Sequence, residues 1–189
     1  MTTILAIKKE NDIILAADTL TKFGSQKENA TLIKNHSKIV HIYDNYIGVT
    51  GSSVWPFLLR SYFLKTIDRK PDFSNEESIF EEMDLTHHYL KTDKYLIPAT
   101  GNDNEFESSH MIMIIANKYG IFGVYPLRQI VQYDKFMAIG SGDRYALGSM
   151  YSLYDSNLTA RQIAEKAIET ASFFDDSTSG PFEFVSVLG

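Results

Sequence analysis

Cysteine is absent from the 189 residues, and with it go disulfides, thiol nucleophiles and thiolate metal sites. The absence is compatible with any redox compartment. Cations are in deficit: 18 Lys and Arg against 24 Asp and Glu give a net charge of −6, which argues against general affinity for nucleic acid or anionic membrane. No apolar stretch is long enough for a bilayer, since MIMIIANKYGIFGVY is interrupted by Asn117, Lys118 and Gly120. No charged-then-apolar leader precedes Thr2, so a secretory signal is not expected and the cytoplasm is the default. Internal repeats and low-complexity linkers are also lacking.

What is there is an ordinary globular balance, 44% apolar and 22% charged, in a chain expected to form one domain over residues 1–189. A chain of this length buries about 70% of its unfolded surface. TILAI and IILAA, flanking KKENDI, predict a hairpin. SKIVHI and YIGVTG predict a second. Their apolar residues are consecutive rather than alternating, which implies burial on both faces of the sheet. The segment SSVWPFLLRSYFLKT carries Pro56 early, where a helix tolerates it. NEESIFEEMDLTHHYL has acids in its first turn. Strands follow at HMIMIIA, GIFGVYP and DKFMAIG, then helices at RYALGSMYSLY and TARQIAEKAIETASFF, then the strand PFEFVSVL. Thr159 with Gln162 makes a capping box for the last helix, and Leu158 with Ile163 its staple. This order satisfies every burial demand as an α+β, four-layer αββα sandwich of two antiparallel sheets with a helix pair outside each.

The first strand starts at the second residue, so Thr2 is expected to be held rigidly at a sheet edge. Removal of Met1, normal before a residue as small as Thr, would place an α-amine on the same residue as a hydroxyl. An α-amine titrates at about 7.7–8.0, so it is partly neutral near pH 7 and accepts the hydroxyl proton. One residue then supplies nucleophile and base.

Five segments in order, TTILAIKKENDIILAAD, HSKIVHIYDNYIGVTGS, FMAIGSGDRYALGSMYSL, LTARQIAEKAIETAS and DDSTSGPFEFVSV, resemble the proteasome β-subunit family, N-terminal-nucleophile hydrolases that include bacterial HslV. The likeness fails mainly between about residues 68 and 108. It implies a threonine peptidase with Thr2 as nucleophile, Asp18 as buried acid and Lys38 as active-site lysine. Lys34 is the rival, because simple counting from Thr2 favours it. It further implies Gly48 as the oxyanion donor through its N–H, and Ser141, Asp176 and Ser179 as supports of the Thr2 amine. Thr21, Lys22, His36, Tyr46, Thr50 and Val54 match pocket positions. Lys22 departs from the family, which usually has a small hydroxyl residue there, so a charge beside the cleft is expected. The loop before Lys38 is longer than usual and the turn before Gly48 shorter. No propeptide is expected, so free Thr2 depends on methionine removal, as in HslV. Stacked rings that admit unfolded proteins or peptides are implied, with no cofactor and no metal. An AAA+ ATPase partner is the HslV-like option; the betaproteobacterial homologues, with none assigned, are favoured because the middle of the chain matches HslV poorly.

Other readings of the same residues are weaker. Gly140-Ser141-Gly142 imitates a phosphate loop, but Tyr145 stands where a dinucleotide fingerprint needs its third glycine and no βαβ unit surrounds it. Asp175-Asp176 does not make a glycosidase pair, because adjacent residues on an extended segment point apart. His87 and His88, adjacent on a helix, share no face to hold a metal. Read alone, Asp18 and Lys38 would be a salt bridge between strand ends. Two rivals come from other functional classes: an inert ring-forming subunit retaining Met1, and a non-proteolytic amidase of the same fold.

Overall fold

The computed structural model describes residues 2–98 and 105–187. Strands β1 (Thr3–Lys9) and β2 (Asp12–Asp18) form the first hairpin. Lys9 pairs with Asp12, leaving a two-residue turn with Glu10 at φ 57°. A three-residue hairpin of β3 (Thr21–Phe23) and β4 (Gln26–Glu28) follows. The second long hairpin is β5 (Ile39–Ile42) and β6 (Asn45–Val49). Helix α1 (Trp55–Ser61) runs into a π-turn at Tyr62–Thr66, and α2 (Glu76–Asp93) comes next. Strands β7 (Met113–Asn117), β8 (Gly120–Val124), β9 (Ile130–Tyr133) and β10 (Phe136–Gly140) precede α3 (Asp143–Leu153) and α4 (Ala160–Phe174). Strand β11 (Phe182–Val187) is the last element.

The strands make two main antiparallel sheets, ordered β10-β1-β2-β11 and β5-β6-β7-β8-β9. Consecutive burial along β1 has the anticipated cause. Ile4 and Ala6 join Leu15, Ile114, Ile121 and Ile139 between the sheets, whereas Leu5 and Ile7 pack with Met150, Ile163 and Ile168 beneath α3 and α4. A third apolar layer, including Ile47, Leu59, Phe63, Met83 and Phe122, lies between the five-stranded sheet and α1 and α2. Helices outside, sheets inside: this is the αββα sandwich.

Two features were not anticipated. The loop FGSQKENATLI contains β4 and a short 3₁₀ turn at Ala30–Leu32, and IVQY forms the edge strand β9. Neither β3 nor β4 has an apolar run to announce it, and β9 is only half-buried. None of the described helices is long and apolar enough to cross a membrane.

Helix α4 has the predicted start. The Gln162 N–H donates to Thr159 Oγ1 at 3.2 Å, and Thr159 N–H donates to Gln162 Oε1 at 3.0 Å. Leu158 packs into the same layer as Ile163. Replacing Thr159 with Ala should lower stability by about 1 kcal/mol, read from the urea midpoint at unchanged slope.

Candidate active site

Residue 2 is fixed by its neighbours' backbone. Its carbonyl oxygen accepts from Ser141 N–H at 2.8 Å and from Ser141 Oγ at 3.4 Å. The next amide, Thr3 N–H, donates to Asp18 Oδ1 at 2.9 Å, and Thr3 Oγ1 meets Thr178 Oγ1 at 2.5 Å. Thr2 is itself only 4% exposed. The glycines around Ser141 explain how the chains approach. Gly140 has φ +106°, and a Cβ there would overlap the Thr2 carbonyl; a Cβ on Gly142 would overlap Thr3 Oγ1. The Gly-Ser-Gly turn therefore seats the start of β1, and Thr3 and Ala171 fill the space where a phosphate loop would need an opening.

Behind Thr3 lies an ion pair. Asp18, fully buried at the end of β2, accepts from Lys38 Nζ at 2.8 Å through Oδ1 and from Leu20 N–H at 3.1 Å through Oδ2. Burial pushes the Asp18 carboxyl above its ordinary value of 3.8, opposed by Lys38 and the two amides. Burial likewise pulls the Lys38 ammonium below 10.5, opposed by Asp18. A carboxylate with a cation and two amide donors has its negative charge well matched. Lys34 is exposed, and the strand that begins at Ile39 carries Lys38 to this point. Lys38, and not Lys34, is the lysine paired with Asp18.

Thr2 and Lys38 share the wall of a cleft of about 600 Å³. Thr21, Lys22 and Phe23 of β3 form one side, and His36 and Ser37 adjoin Lys38. The third side is one face of the segment entering α1: Ser53, Pro56, Phe57 and Arg60. Their spacing, i, i+3, i+4, i+7, is a helical stripe; the sequence was read there only as a helix with Pro56 early. Of the pocket candidates, Thr21, Lys22 and His36 line the cleft. Tyr46 instead stacks on His41 with ring centroids 4.6 Å apart. Thr50 turns away, its N–H and Oγ1 both donating to Ile112 O, at 3.1 and 3.2 Å. Val54 is a 45%-exposed residue ahead of α1, outside the lining.

Two further expectations need correction. Gly48 lies in mid-strand, opposite Ile39 on one side and Ile114 on the other. Because Thr50 N–H donates to Ile112, ladder alternation turns the Gly48 N–H toward Ile114, within the sheet. A Cβ at Gly48 would stand 2.6 Å from Ile4 Cγ2, so glycine here admits close packing of the two sheets. The cleft is lined instead by the turn after β6, Gly51, Ser52 and Ser53. The second correction is a shift of one residue. Asp176, with its side chain 81% exposed, pairs with Lys22 at 3.3 Å. Asp175 is the acid that meets Ser141, accepting from Ser141 Oγ at 2.7 Å and from Thr178 Oγ1 at 2.6 Å. Ser179 contributes its carbonyl, which accepts from Thr19 N–H at 3.4 Å. Met1 lies outside the described residues.

Comparison with known proteins places this geometry in context. A family profile described as "Proteasome subunit" matches residues 73–187, more than half of the chain. The ATP-dependent protease subunit HslV of Bartonella quintana (strain Toulouse) is 26% identical over 174 residues, which cover 90% of this chain and 81% of that protein. The structure of Thiobacillus denitrificans BPH superposes with a TM-score of 0.91 at 36% identity, covering 98% of this chain and 97% of that one. The same protein in complex with epoxomicin gives 0.90. A eukaryotic HslV from Trypanosoma brucei, 20% identical and covering 99% of both chains, has the same fold at a TM-score of 0.71.

The lysine assignment has a direct check. Lys38→Ala leaves Asp18 buried without its cation and should destabilise the fold by about 3–5 kcal/mol, whereas Lys34→Ala should change stability by less than about 0.5 kcal/mol. Parallel denaturant curves distinguish them.

Proposed function

Because the chain belongs to the proteasome subunit family, we propose that it is a threonine-type endopeptidase acting through Thr2. The observation that carries this reading is the anchoring of residue 2 in a cleft wall shared with Lys38, itself held by Asp18.

The chemistry balances on that residue once Met1 is removed. The neutral Thr2 amine takes the Oγ proton as Oγ attacks a peptide carbonyl carbon. Lys38, kept cationic by Asp18, lowers the amine's proton affinity and stabilises developing charge on Oγ. The resulting oxyanion is assigned to backbone N–H groups of the Gly51–Ser53 turn, which replaces Gly48 in this role; such donors are fixed before charge develops. Collapse expels the leaving amine with the proton held by the Thr2 amine. Water, activated by the same amine, then hydrolyses the acyl ester and restores the hydroxyl. Ser141, Asp175 and Thr178 act as a positioning chain for the Thr2–Thr3 backbone, not as proton carriers.

Self-association into stacked rings, with unfolded proteins or peptides as substrates, completes the proposal. The ATPase remains the alternative arrangement: the relative called ATP-dependent is 26% identical, against 36% for Thiobacillus denitrificans BPH. The inert-subunit reading requires Met1 to be retained.

An epoxyketone such as epoxomicin tests the proposal, because its adduct needs a hydroxyl and a free amine on one residue. Intact mass should show the processed chain gaining one inhibitor, and Thr2→Ala gaining none. A processed, folded chain that takes up no inhibitor would overturn the reading. The pH profile carries a second expectation. Turnover needs Asp18 charged, Lys38 charged and the Thr2 amine neutral, so the amine adds its own loss of activity on the acid side. Burial raises the first pKa and lowers the second, so activity should fall on the acid side above pH 3.8 and on the alkaline side below pH 10.5. Stopped assays across pH, with a folding control at each point, read both limbs.

A further inference from the structure

The chain is acidic, at −6, yet the cleft wall reverses that sign. Lys22, Lys38 and Arg60 line it against one acid, Glu28. Two of the three cations are already matched: Lys38 with Asp18 at 2.8 Å, and Lys22 with Asp176 at 3.3 Å. The Glu28 carboxylate accepts from Gln26 Nε2 at 2.6 Å. Among the described residues Arg60 makes no ion pair. It is half-buried, on the same helical stripe as Pro56 and Phe57.

We propose that Arg60 is a specificity residue that receives an acidic side chain of the bound peptide, so that the cleft favours substrates with Asp or Glu beside apolar residues. A cleft-lining guanidinium without a counter-charge among the described residues is open to a carboxylate supplied by a ligand. A carboxylate offers it two parallel hydrogen bonds in a geometry an ammonium cannot match. The same lining also carries the apolar side chains of Leu20, Phe23, Ile33, Pro56 and Phe57, against which apolar neighbours of the acidic residue pack. A helix C-terminus by itself favours a cation in the last turn, and Arg60 occupies that turn of α1. The dipole, however, asks only for a cation near the helix end; it does not require that cation to line the wall that contains Thr2. The proposal rests on the peptidase reading for what enters the cleft, but not for the charge it finds there.

The test separates binding from chemistry. Labelled peptides identical except for Glu or Gln at one position, scanned across the sequence, are titrated by fluorescence anisotropy against the assembled Thr2→Ala protein, which cannot turn over. At one position the Glu peptide should bind roughly tenfold more tightly at low salt, the ratio shrinking as ionic strength rises. Arg60→Gln should abolish the ratio, and Arg60→Lys should keep part of it, which controls for folding. Equal or undetectable binding of both peptides at every position overturns the proposal, as does a Glu preference that survives Arg60→Gln. A salt-sensitive, Arg60-dependent preference in a chain that never reacts with an epoxyketone supports the role of Arg60 while removing the peptidase reading.

Discussion

The site depends on one buried carboxylate. Asp18 accepts from a lysine ammonium and from the amides of Thr3 and Leu20, joining in one contact set the start of β1, the exit of β2 and the entry to β5. Removing a charge from water is costly unless partners replace the lost hydration, and here all of those partners come from the segments that shape the cleft. The requirement works in both directions. Lys38 is placed because Asp18 needs a cation, and Asp18 is tolerated because Lys38 and two amides are present.

The sandwich supplies the rigidity this arrangement needs. β1 lies between β10 and β2, with apolar layers on both faces, so its first residue cannot swing as a chain end usually does. The connections that carry the remaining functional groups leave the sheets at the same end: Ser141 after β10, Leu20 to Phe23 after β2, and the Gly51 turn after β6. Each is short and starts from a paired strand. The site is thus built from strand exits, and its parts are held as firmly as the sheets behind them.

Much of this was legible in the residues. Consecutive apolar positions in TILAI and IILAA announced a sheet covered on both sides, and the Thr159–Gln162 pair announced α4. Asp18 and Lys38 came from the family resemblance; read alone they were a salt bridge between strand ends, and that ion pair is present. The errors fell where regular structure gives way to turns. Asp175 and Asp176 are chemically identical, and only the backbone turn after α4 decides which faces Ser141. Gly48 was taken as the oxyanion donor, but it lies one position inside the paired strand, where its N–H is committed to Ile114. The β3–β4 hairpin has no apolar periodicity because it stands over the cleft rather than on a core. Arg60 was missed for a different reason: a helical stripe reads as buried packing unless something shows that its far side is open.

Gly140 has no functional group, yet it governs where the reacting residue stands. Its left-handed backbone and the contact with the Thr2 carbonyl leave no room for any L-amino acid, large or small, polar or apolar. In a saturation screen for turnover, this position would therefore score with the nucleophile itself, and a map of intolerance would mark as chemistry what is a matter of vacant space.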